Sequence, residues 1–304
     1  MSDSTTSSLR CGMVAVVGRA NVGKSTLINT ILEEKISIVS PVAQTTRNLI
    51  RGILTEPRGQ LAFLDTPGIH KADHDLGRLM NRIARTSVEG VDIILLVLDL
   101  SRPPREEDEG WMRRILREQT RCVVALNKAD RGTERAEVYK KLWSDVAAGK
   151  GLSQKADWLT VSAATGAGTG ELVNHLFRSV PEGPLLFPAD VLSDYPRNLT
   201  LADAIREKLF LHLKEELPQA VAVGIESIRE EGDRWLIHGL VYVNKPSQKR
   251  IVVGEKGRVI KAVTRQAEKD LSEMYDRPIE LTLWVKVEKN WSRNFWMLKK
   301  LGYA

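Results

Sequence analysis

Cysteine is scarce in this sequence, and so are aromatic residues and long apolar runs. The 304 residues include two cysteines, Cys11 and Cys122, too few for the disulfide framework typical of small secreted proteins. The longest apolar run covers residues 93–98, whereas about 18 such residues are needed to span a membrane. We therefore expect a cytoplasmic protein without a membrane-spanning helix.

The N-terminus is polar, and positive charge is concentrated far from it. Residues 1–10 lack the apolar core of a secretory signal and are interpreted as a disordered tail. Residues 245–265 contain seven basic residues and one acid, so this stretch holds the whole formal net charge of +6. The seven basic residues are Lys245, Lys249, Arg250, Lys256, Arg258, Lys261 and Arg265.

The apolar pattern predicts two domains joined by a linker. In residues 11–180, short apolar runs alternate with amphipathic segments, which predicts a doubly wound, mainly parallel α/β sheet. Residues 181–199 contain four of the twelve prolines and are interpreted as the linker. Residues 200–304 follow another order, which predicts a smaller α+β module closed by one amphipathic helix.

The predicted elements have these approximate bounds. In the first domain, strands are predicted at 13–17, 49–54, 61–64, 92–98, 122–126 and 158–161, with helices from 24 and near 76–88, 105–118 and 170–179. In the second module, helices are predicted at 201–217 and 258–275, and strands at 220–228, 234–243 and 279–287. On periodicity alone, residues 247–253 also favour a strand.

The stretch GRANVGKST, residues 18–26, matches the phosphate-binding pattern G-x-x-x-x-G-K-[ST] between a predicted strand and a predicted helix. Backbone N–H groups of such a loop point at phosphates, the lysine reaches the β- and γ-phosphates, and the serine binds Mg²⁺. A plain glycine turn before a helix is the alternative. The nucleotide-binding candidates here are Gly18, Asn21, Val22, Gly23, Lys24, Ser25 and Thr26.

Three further motifs follow in order, each behind a predicted strand. LDTPG offers Asp65 to Mg²⁺ through water and the Gly68 N–H to the γ-phosphate. In NKAD, the carboxylate of Asp130 can accept hydrogen bonds from guanine N1–H and the 2-amino group, which favours GTP over ATP. The third motif is SAATG, residues 162–166. Taken alone, LDTPG is also typical of a turn, NKAD of a surface loop and SAATG of a helix cap. The base-site candidates are Asn127, Lys128, Asp130 and, for backbone N–H groups near the guanine oxygen, Ser162, Ala163 and Ala164.

These motifs resemble the translation-factor-related class of GTPases, and GRANVGKSTLIN, QTTR and DTPGIH are similar to the Era family. The resemblance implies Mg²⁺-dependent hydrolysis of GTP to GDP and phosphate. It also implies a Mg²⁺-binding threonine in QTTR, for which Thr46 is favoured and Thr45 is the alternative, in a loop ordered by the γ-phosphate. The catalytic candidates are Lys24, Thr46 and Gly68, and the Mg²⁺ ligands are Ser25, Thr46 and Asp65.

Two positions bear on the rate of hydrolysis. Ile69 stands where Ras-like enzymes have a water-orienting glutamine. Slow intrinsic hydrolysis is therefore expected, with water positioned by backbone, by a second water or by a partner. Relatives with asparagine at the position of Asn21 can use K⁺ at the phosphates. The alternative is that Asn21 only stabilises its own turn.

The basic stretch contains IVVGEKGRVI, residues 251–260, which matches the core of a KH module. Its GxxG loop clamps the backbone of four nucleotides of a single strand. Ile251, Val253, Val259 and Ile260 can line an apolar groove for bases. The order of elements resembles the type II KH arrangement, which implies a helix at 247–253. The RNA-binding candidates are Lys249, Arg250, Gly254, Glu255, Lys256, Gly257, Arg258 and Lys261, and a solvated basic helix end is the alternative.

The Era resemblance covers residues 11–304 and implies binding near the 3′ end of small-subunit ribosomal RNA and a role in 30S assembly and maturation. It also implies peripheral contact with the inner membrane face as an open possibility, and we expect a monomer. The alternatives are a non-enzymatic RNA-binding protein with a relic pocket, an RNA-modifying enzyme and a DNA-binding GTPase. Trp284, Trp291 and Trp296 are interpreted as packing residues, with platforms for base stacking as the alternative.

Overall fold

A computed structural model describes residues 8–40, 42, 44–69, 75–118, 120–149 and 155–303. These residues form two compact units. Unit 1 holds most of the chain up to Asp194, and unit 2 holds the chain from Tyr195 onward together with Ile38–Thr45 and a short segment ending at Leu79. Most of the predicted disordered tail, residues 1–7, lies outside the described residues, and its last residue, Arg10, begins the first strand.

Unit 1 contains a six-stranded sheet with helices on both faces. The strands are β1 (Arg10–Val17), β2 (Ile50–Glu56), β3 (Gly59–Asp65), β4 (Ile93–Asp99), β5 (Arg121–Asn127) and β6 (Ala156–Thr160), in the spatial order β2-β3-β1-β4-β5-β6. The helices are α1 (Lys24–Leu32), α2 (Asp75–Thr86), α3 (Glu106–Glu118), α4 (Ala136–Ala148) and α5 (Thr169–Ser179). Only β2 pairs in the antiparallel sense. The prediction of a doubly wound, mainly parallel sheet is confirmed.

The core of unit 1 explains why its strands are continuous apolar runs. β4, with the sequence IILLVLD, is buried along its whole length. Alternate residues face an apolar cluster beneath α1 and α5 on one side and a second cluster beneath α3 and α4 on the other. Because the strands are parallel, their carboxyl ends meet at one edge, and the Val16–Asp65 and Asp99–Asn127 register pairs place the motif-bearing ends there.

The proline-bearing segment after α5 is attached to unit 1. The side chain of Gln60 accepts hydrogen bonds from the N–H groups of Leu186 and Phe187, and the Ile53 N–H donates to the Leu192 carbonyl. The next helix begins at Arg197, so the second module starts before residue 200, where the sequence predicted it.

Unit 2 has a three-stranded sheet packed against helices. Its helices are α6 (Arg197–His212), α7 (Leu217–Ala220), α8 (Pro246–Val253), α9 (Arg258–Tyr275) and α10 (Phe295–Lys300), and its strands are β7 (Ala222–Glu231), β8 (Arg234–Val243) and β9 (Ile279–Val287). β7 pairs antiparallel with β8, and β8 pairs parallel with β9. The α-β-β-α-α-β order predicted for a type II KH arrangement is confirmed.

Residues 247–253 are helical, although their periodicity favours a strand. Pro246 occupies the first helical position, where its missing N–H leaves no unpaired donor. The side chain of Gln248 accepts from the N–H groups of Asn244 and Lys245. These capping interactions outweigh the local β propensity of the Ile-Val-Val run.

The C-terminal segment is not the single amphipathic helix predicted. A 3₁₀ turn at Trp291–Arg293 precedes the six-residue α10, because the Asn294 side chain accepts from the N–H groups of Trp296 and Met297 and starts a new helix. Trp291 is fully buried and donates to the Ala220 carbonyl. Trp284 and Trp296 are 65% and 73% exposed, so the packing interpretation is wrong for these two. None of the described helices has the length and apolar character to cross a membrane.

Candidate functional site

Two glycines give the loop between β1 and α1 its shape. Gly18 and Gly23 have φ of +148° and +98°, in the range that favours glycine. A Cβ on Gly18 would lie 2.5 Å from the Val97 carbonyl oxygen, and one on Gly23 would lie 2.4 Å from Asn127 Nδ2. The predicted glycine requirement is thus met on both conformational and steric grounds.

Lys24 folds back over this loop. Its ammonium donates to the carbonyls of Gly18 and Arg19, at 3.1 and 3.0 Å. Burial lowers the pKa of Lys24 to about 8, although the nearby Asp65 opposes that shift. An arriving phosphate would stabilise the charged ammonium, so this side chain is suited to binding an anion.

The three predicted metal ligands lie together at the start of α1. Ser25 Oγ donates to Asp65 Oδ2 at 2.7 Å and lies 3.0 Å from Thr46 Oγ1. Asp65 is fully buried, and its Oδ1 has no hydrogen-bond partner among the described residues. Burial raises the pKa of Asp65, which a cation would counteract. Such hard oxygen donors, one of them an unpaired carboxylate oxygen, fit Mg²⁺.

The geometry favours Thr46 over Thr45 as the metal ligand. Thr45 Oγ1 donates to the Val42 carbonyl at 2.7 Å, so this hydroxyl is engaged within its own loop. Thr46 instead reaches Ser25. The arrangement supports Thr46 as the ligand.

The DTPG loop lies directly on the phosphate loop. A Cβ on Gly68 would come within 2.6 Å of the Ala20 backbone, so a larger residue would clash there. Arg19 and Ile69 form an isolated parallel bridge. The Ile69 side chain packs against the apolar cluster beneath α3, which agrees with the expectation that it does not hold a water.

Sequence reasoning missed two buried carboxylates that link the motifs. Asp108 lies 3.1 Å and Asp99 3.8 Å from the guanidinium of Arg19. Lys128 donates both to Asp99 and to the Asn21 carbonyl, each at 2.8 Å. Burial would raise the pKa of Asp99, but hydrogen bonds, chiefly from Lys128, leave it below its ordinary value. The sequence signal was present, since Asp99 ends an apolar strand as Asp65 does.

Asn127 connects the base motif to the phosphate loop. Its amide group donates to the Val22 carbonyl at 2.8 Å and accepts from the Ala163 N–H at 2.9 Å. Val22 is itself buried, whereas Thr26 is half-buried on α1. The nucleotide-binding role of these two residues stays a prediction, and Asn127 at the end of β5 holds the loop in place.

The remaining base-site candidates divide into two roles. Ser162 Oγ donates to Asp130 Oδ1 at 2.6 Å and so fixes the carboxylate. The Ser162 N–H donates to the Ala167 carbonyl, and the Ala163 N–H is used by Asn127. Of the three predicted backbone donors, only the exposed Ala164 has an N–H without an acceptor among the described residues.

In unit 2, the glycine turn also depends on both of its glycines. Gly254 and Gly257 have φ of +74° and +77°. A Cβ on Gly254 would lie 2.6 Å from the Val259 side chain, whereas one on Gly257 would first meet Lys261 at 3.6 Å. The turn Glu255–Gly257 leads directly into α9. A ligand can therefore approach the backbone at Gly257.

The basic stretch is exposed and uncompensated. All seven basic side chains between residues 245 and 265 are exposed, and none forms an ion pair with a described residue. Ile251 is exposed, while Val253, Val259 and Ile260 are half-buried against the core of unit 2. A row of free cations beside a partly apolar strip matches the predicted surface for a single-stranded nucleic acid.

Comparison with known proteins agrees with this division. The family described as "50S ribosome-binding GTPase" matches residues 13–128, and the family described as "KH domain" matches residues 216–292. The chain is 40% identical to GTPase Era of Geotalea daltonii, covering 96% of this chain and 97% of that protein. It is 37% identical to GTPase Era of Halothermothrix orenii, covering 97% and 99%.

Two solved structures are similar over nearly the whole chain. One is Era in complex with MgGDPNP and nucleotides 1506–1542 of 16S ribosomal RNA, with a TM-score of 0.89, 35% identity and coverage of 97% of this chain and 99% of that one. The other is an Aquifex aeolicus Era variant bound to GDP·AlF4⁻, with a TM-score of 0.89, 35% identity and coverage of 97% and 100%. This chain belongs to the Era family of GTPases.

Proposed function

We propose that this chain is a Mg²⁺-dependent GTP-hydrolysing switch that binds single-stranded ribosomal RNA near the 3′ end of the small-subunit RNA and assists 30S assembly and maturation. One observation carries the proposal: a single chain combines the Ser25–Thr46–Asp65 oxygen cluster with exposed, unpaired cations around a GxxG turn. The similar Era structure was solved with a Mg²⁺-bound GTP analogue and a 16S RNA segment.

The residues of unit 1 have separate tasks in this function. Ser25, Thr46 and Asp65 would hold Mg²⁺, which neutralises charge that develops on the transferred phosphoryl group. Lys24 supplies positive charge at the phosphates, and the Gly68 N–H meets the γ-phosphate. Asp130 selects guanine. Because Ile69 cannot orient water, we expect slow turnover without a partner.

K⁺ is a further candidate cofactor. Asn21 is exposed with φ of +63°, and its carbonyl accepts from Lys128, an arrangement that serves a turn as well as a cation. Hydrolysis measured in KCl and in NaCl distinguishes the two roles. Equal rates would remove the K⁺ role and leave the turn.

The proposed location is the cytoplasm, and the proposed oligomeric state is a monomer. Light scattering measures the oligomeric state. Phe295 and Trp296 are exposed next to Lys299, whose ammonium lies 6.0 Å from the Trp296 ring, so contact with an acidic membrane surface is a second candidate. Flotation with anionic vesicles tests it. Failure to float would remove the membrane role without affecting the RNA role.

The central test is RNA binding by a charge-reduced turn. We expect Lys256→Gln combined with Lys261→Gln to weaken binding of an oligonucleotide that copies the 3′ end of small-subunit ribosomal RNA about tenfold. Lys269→Gln is the control, because Lys269 lies on α9 together with Lys261. Its ammonium already lies 3.8 Å from the carboxylate of Glu273. Unchanged affinity in the double variant would place the RNA site elsewhere.

Two further measurements separate the alternatives. Multiple-turnover release of phosphate from GTP would exclude a relic pocket. Competition by a DNA oligonucleotide of the same sequence tests the DNA-binding alternative, because equal competition would remove the preference for RNA.

A further inference from the structure

Arg206 on α6 is a fully buried arginine that lies outside every motif described above. It is 1% exposed, and burial of an uncompensated guanidinium would be strongly unfavourable. Its Nη1 lies 2.6 Å from Asp203 Oδ1 and donates to the Tyr303 hydroxyl at 3.0 Å. Its Nη2 donates to the Thr45 carbonyl at 2.8 Å. One guanidinium thus holds three separate groups.

The Thr45 carbonyl belongs to the loop that carries the favoured metal ligand. Ile38–Thr45 is part of unit 2, where Val42 packs against the apolar core. Thr46 follows immediately and reaches Ser25 with its hydroxyl at 3.0 Å. The carbonyl held by Arg206 and the residue that completes the oxygen cluster are therefore joined by one planar peptide bond.

The Tyr303 hydroxyl belongs to the end of the described chain. Tyr303 is buried, and its N–H donates to the Leu298 carbonyl, which ties it to α10. Asp203, the third group, is itself fixed by the Tyr195 hydroxyl at 3.1 Å. The direction in which Arg206 points is consequently set by the C-terminal segment as well as by α6.

We propose that Arg206 is a positioning residue for the GTPase reaction, which holds the Thr45 carbonyl so that Thr46 faces the metal site, with its orientation set by Tyr303. This inference rests on the proposed function and adds a structural route to it. Arginine suits the task because its planar fork presents several donors at fixed angles, whereas lysine presents a single flexible ammonium. Displacing Tyr303 should weaken the GTP-bound state and leave GDP binding unchanged, since Thr46 serves only the γ-phosphate state.

The test uses the full chain with Arg206→Lys and, as a matched control on the same helix, Arg197→Lys. Arg197 stacks on Trp235 at 4.6 Å and pairs with Glu230. We expect Arg206→Lys to weaken binding of a fluorescent non-hydrolysable GTP analogue about tenfold and to raise the Mg²⁺ concentration at half-maximal hydrolysis by a similar factor. GDP affinity should stay within twofold, and Arg197→Lys should match the unmodified protein in all three measurements.

Tyr303→Phe provides a second, milder variant, with an expected shift of a few-fold in the same two quantities. It also carries the test if Arg206→Lys fails to fold. The inference is overturned if GTP-analogue affinity and Mg²⁺ dependence are unchanged, or if GDP affinity falls equally. Absence of GTP hydrolysis by the unmodified protein would instead overturn the proposed function, so the two failures are distinguishable.

Discussion

The phosphate loop of unit 1 and the glycine turn of unit 2 are built from similar parts in opposite environments. Each places two positive-φ glycines and a lysine at the start of a helix. Lys24 is 6% exposed and bound to two carbonyls, whereas Lys256 is exposed and unpaired.

The difference shows how the two ligands are recognised. The loop around Lys24 is already shaped by Asn127, Asp65 and Ser25, so it can select a ligand by geometry. The turn around Lys256 offers charge and backbone access, so its binding should depend mainly on phosphate charge and on salt. Substitutions in the phosphate loop of unit 1 should therefore change which nucleotide is bound. Substitutions in the glycine turn of unit 2 should change the strength of RNA binding and its dependence on salt.

The largest effect is expected from Asp130→Asn. The carboxylate can accept two charge-assisted hydrogen bonds from guanine, and their loss should cost about 3 kcal/mol, or more than 100-fold in GDP affinity. Because an asparagine amide can donate to a C2 carbonyl, affinity for xanthosine diphosphate should rise. Titration with both fluorescent nucleotides checks this. Retention of the GDP preference would mean that Asp130 does not select the base.

Gly254→Ala should destabilise unit 2 more than Gly257→Ala. Both positions have positive φ, which costs alanine about 1 kcal/mol, but only Gly254 also faces a steric clash, for a total of roughly 2–3 kcal/mol. Urea denaturation followed by tryptophan fluorescence measures both variants. Equal losses would show that the Val259 contact does not constrain the turn.

Much of this comparison could be predicted from the sequence, because local patterns encode it. The mainly parallel sheet, the phosphate loop and the bounds of α9 follow from apolar runs, glycines and periodicity. α4 was missed, although Tyr139, Trp143 and Val146 have helical spacing and are buried. The C-terminal helix was drawn too long, because the cap formed by Asn294 is a local hydrogen bond that hydrophobic periodicity does not reveal.

The parts that the sequence did not reveal are tertiary. No spacing rule brings Asp108 to Arg19 or Arg206 to Thr45, because these contacts join residues that lie far apart in the chain. The amide donors near the base show the same limit. Only the folded loop reveals that Ser162 and Ala163 use their N–H groups internally.

A rise in pH above 8 should weaken GDP binding by up to about tenfold per pH unit. Phosphate favours the charged Lys24, whose pKa is about 8 in the free protein. Below that pH the amine is already charged, and above it binding must take up a proton, so GDP affinity should fall as pH rises from 8 to 9. Lys24→Arg should bind more weakly with a flat profile. A flat profile in the unmodified protein would contradict this assignment.

The smallest expected effect is that of Lys261→Gln on the salt dependence of RNA binding. Removal of one phosphate contact should lower affinity a few-fold and reduce the slope of log Kd against log salt by about 0.7. Fluorescence anisotropy at several KCl concentrations gives the slope. The same substitution at Lys269 should leave the slope unchanged, and an equal change there would remove the special role of the turn.

The most direct test of the account is the affinity of the full chain for the 3′-end oligonucleotide with Mg²⁺ and a GTP analogue, with GDP, and without nucleotide. Coupling between the two sites predicts Kd values that differ by at least about fivefold between the GTP-analogue and GDP states. Kd values that agree in all three states would contradict the proposal that this chain is a GTP-hydrolysing switch for RNA binding.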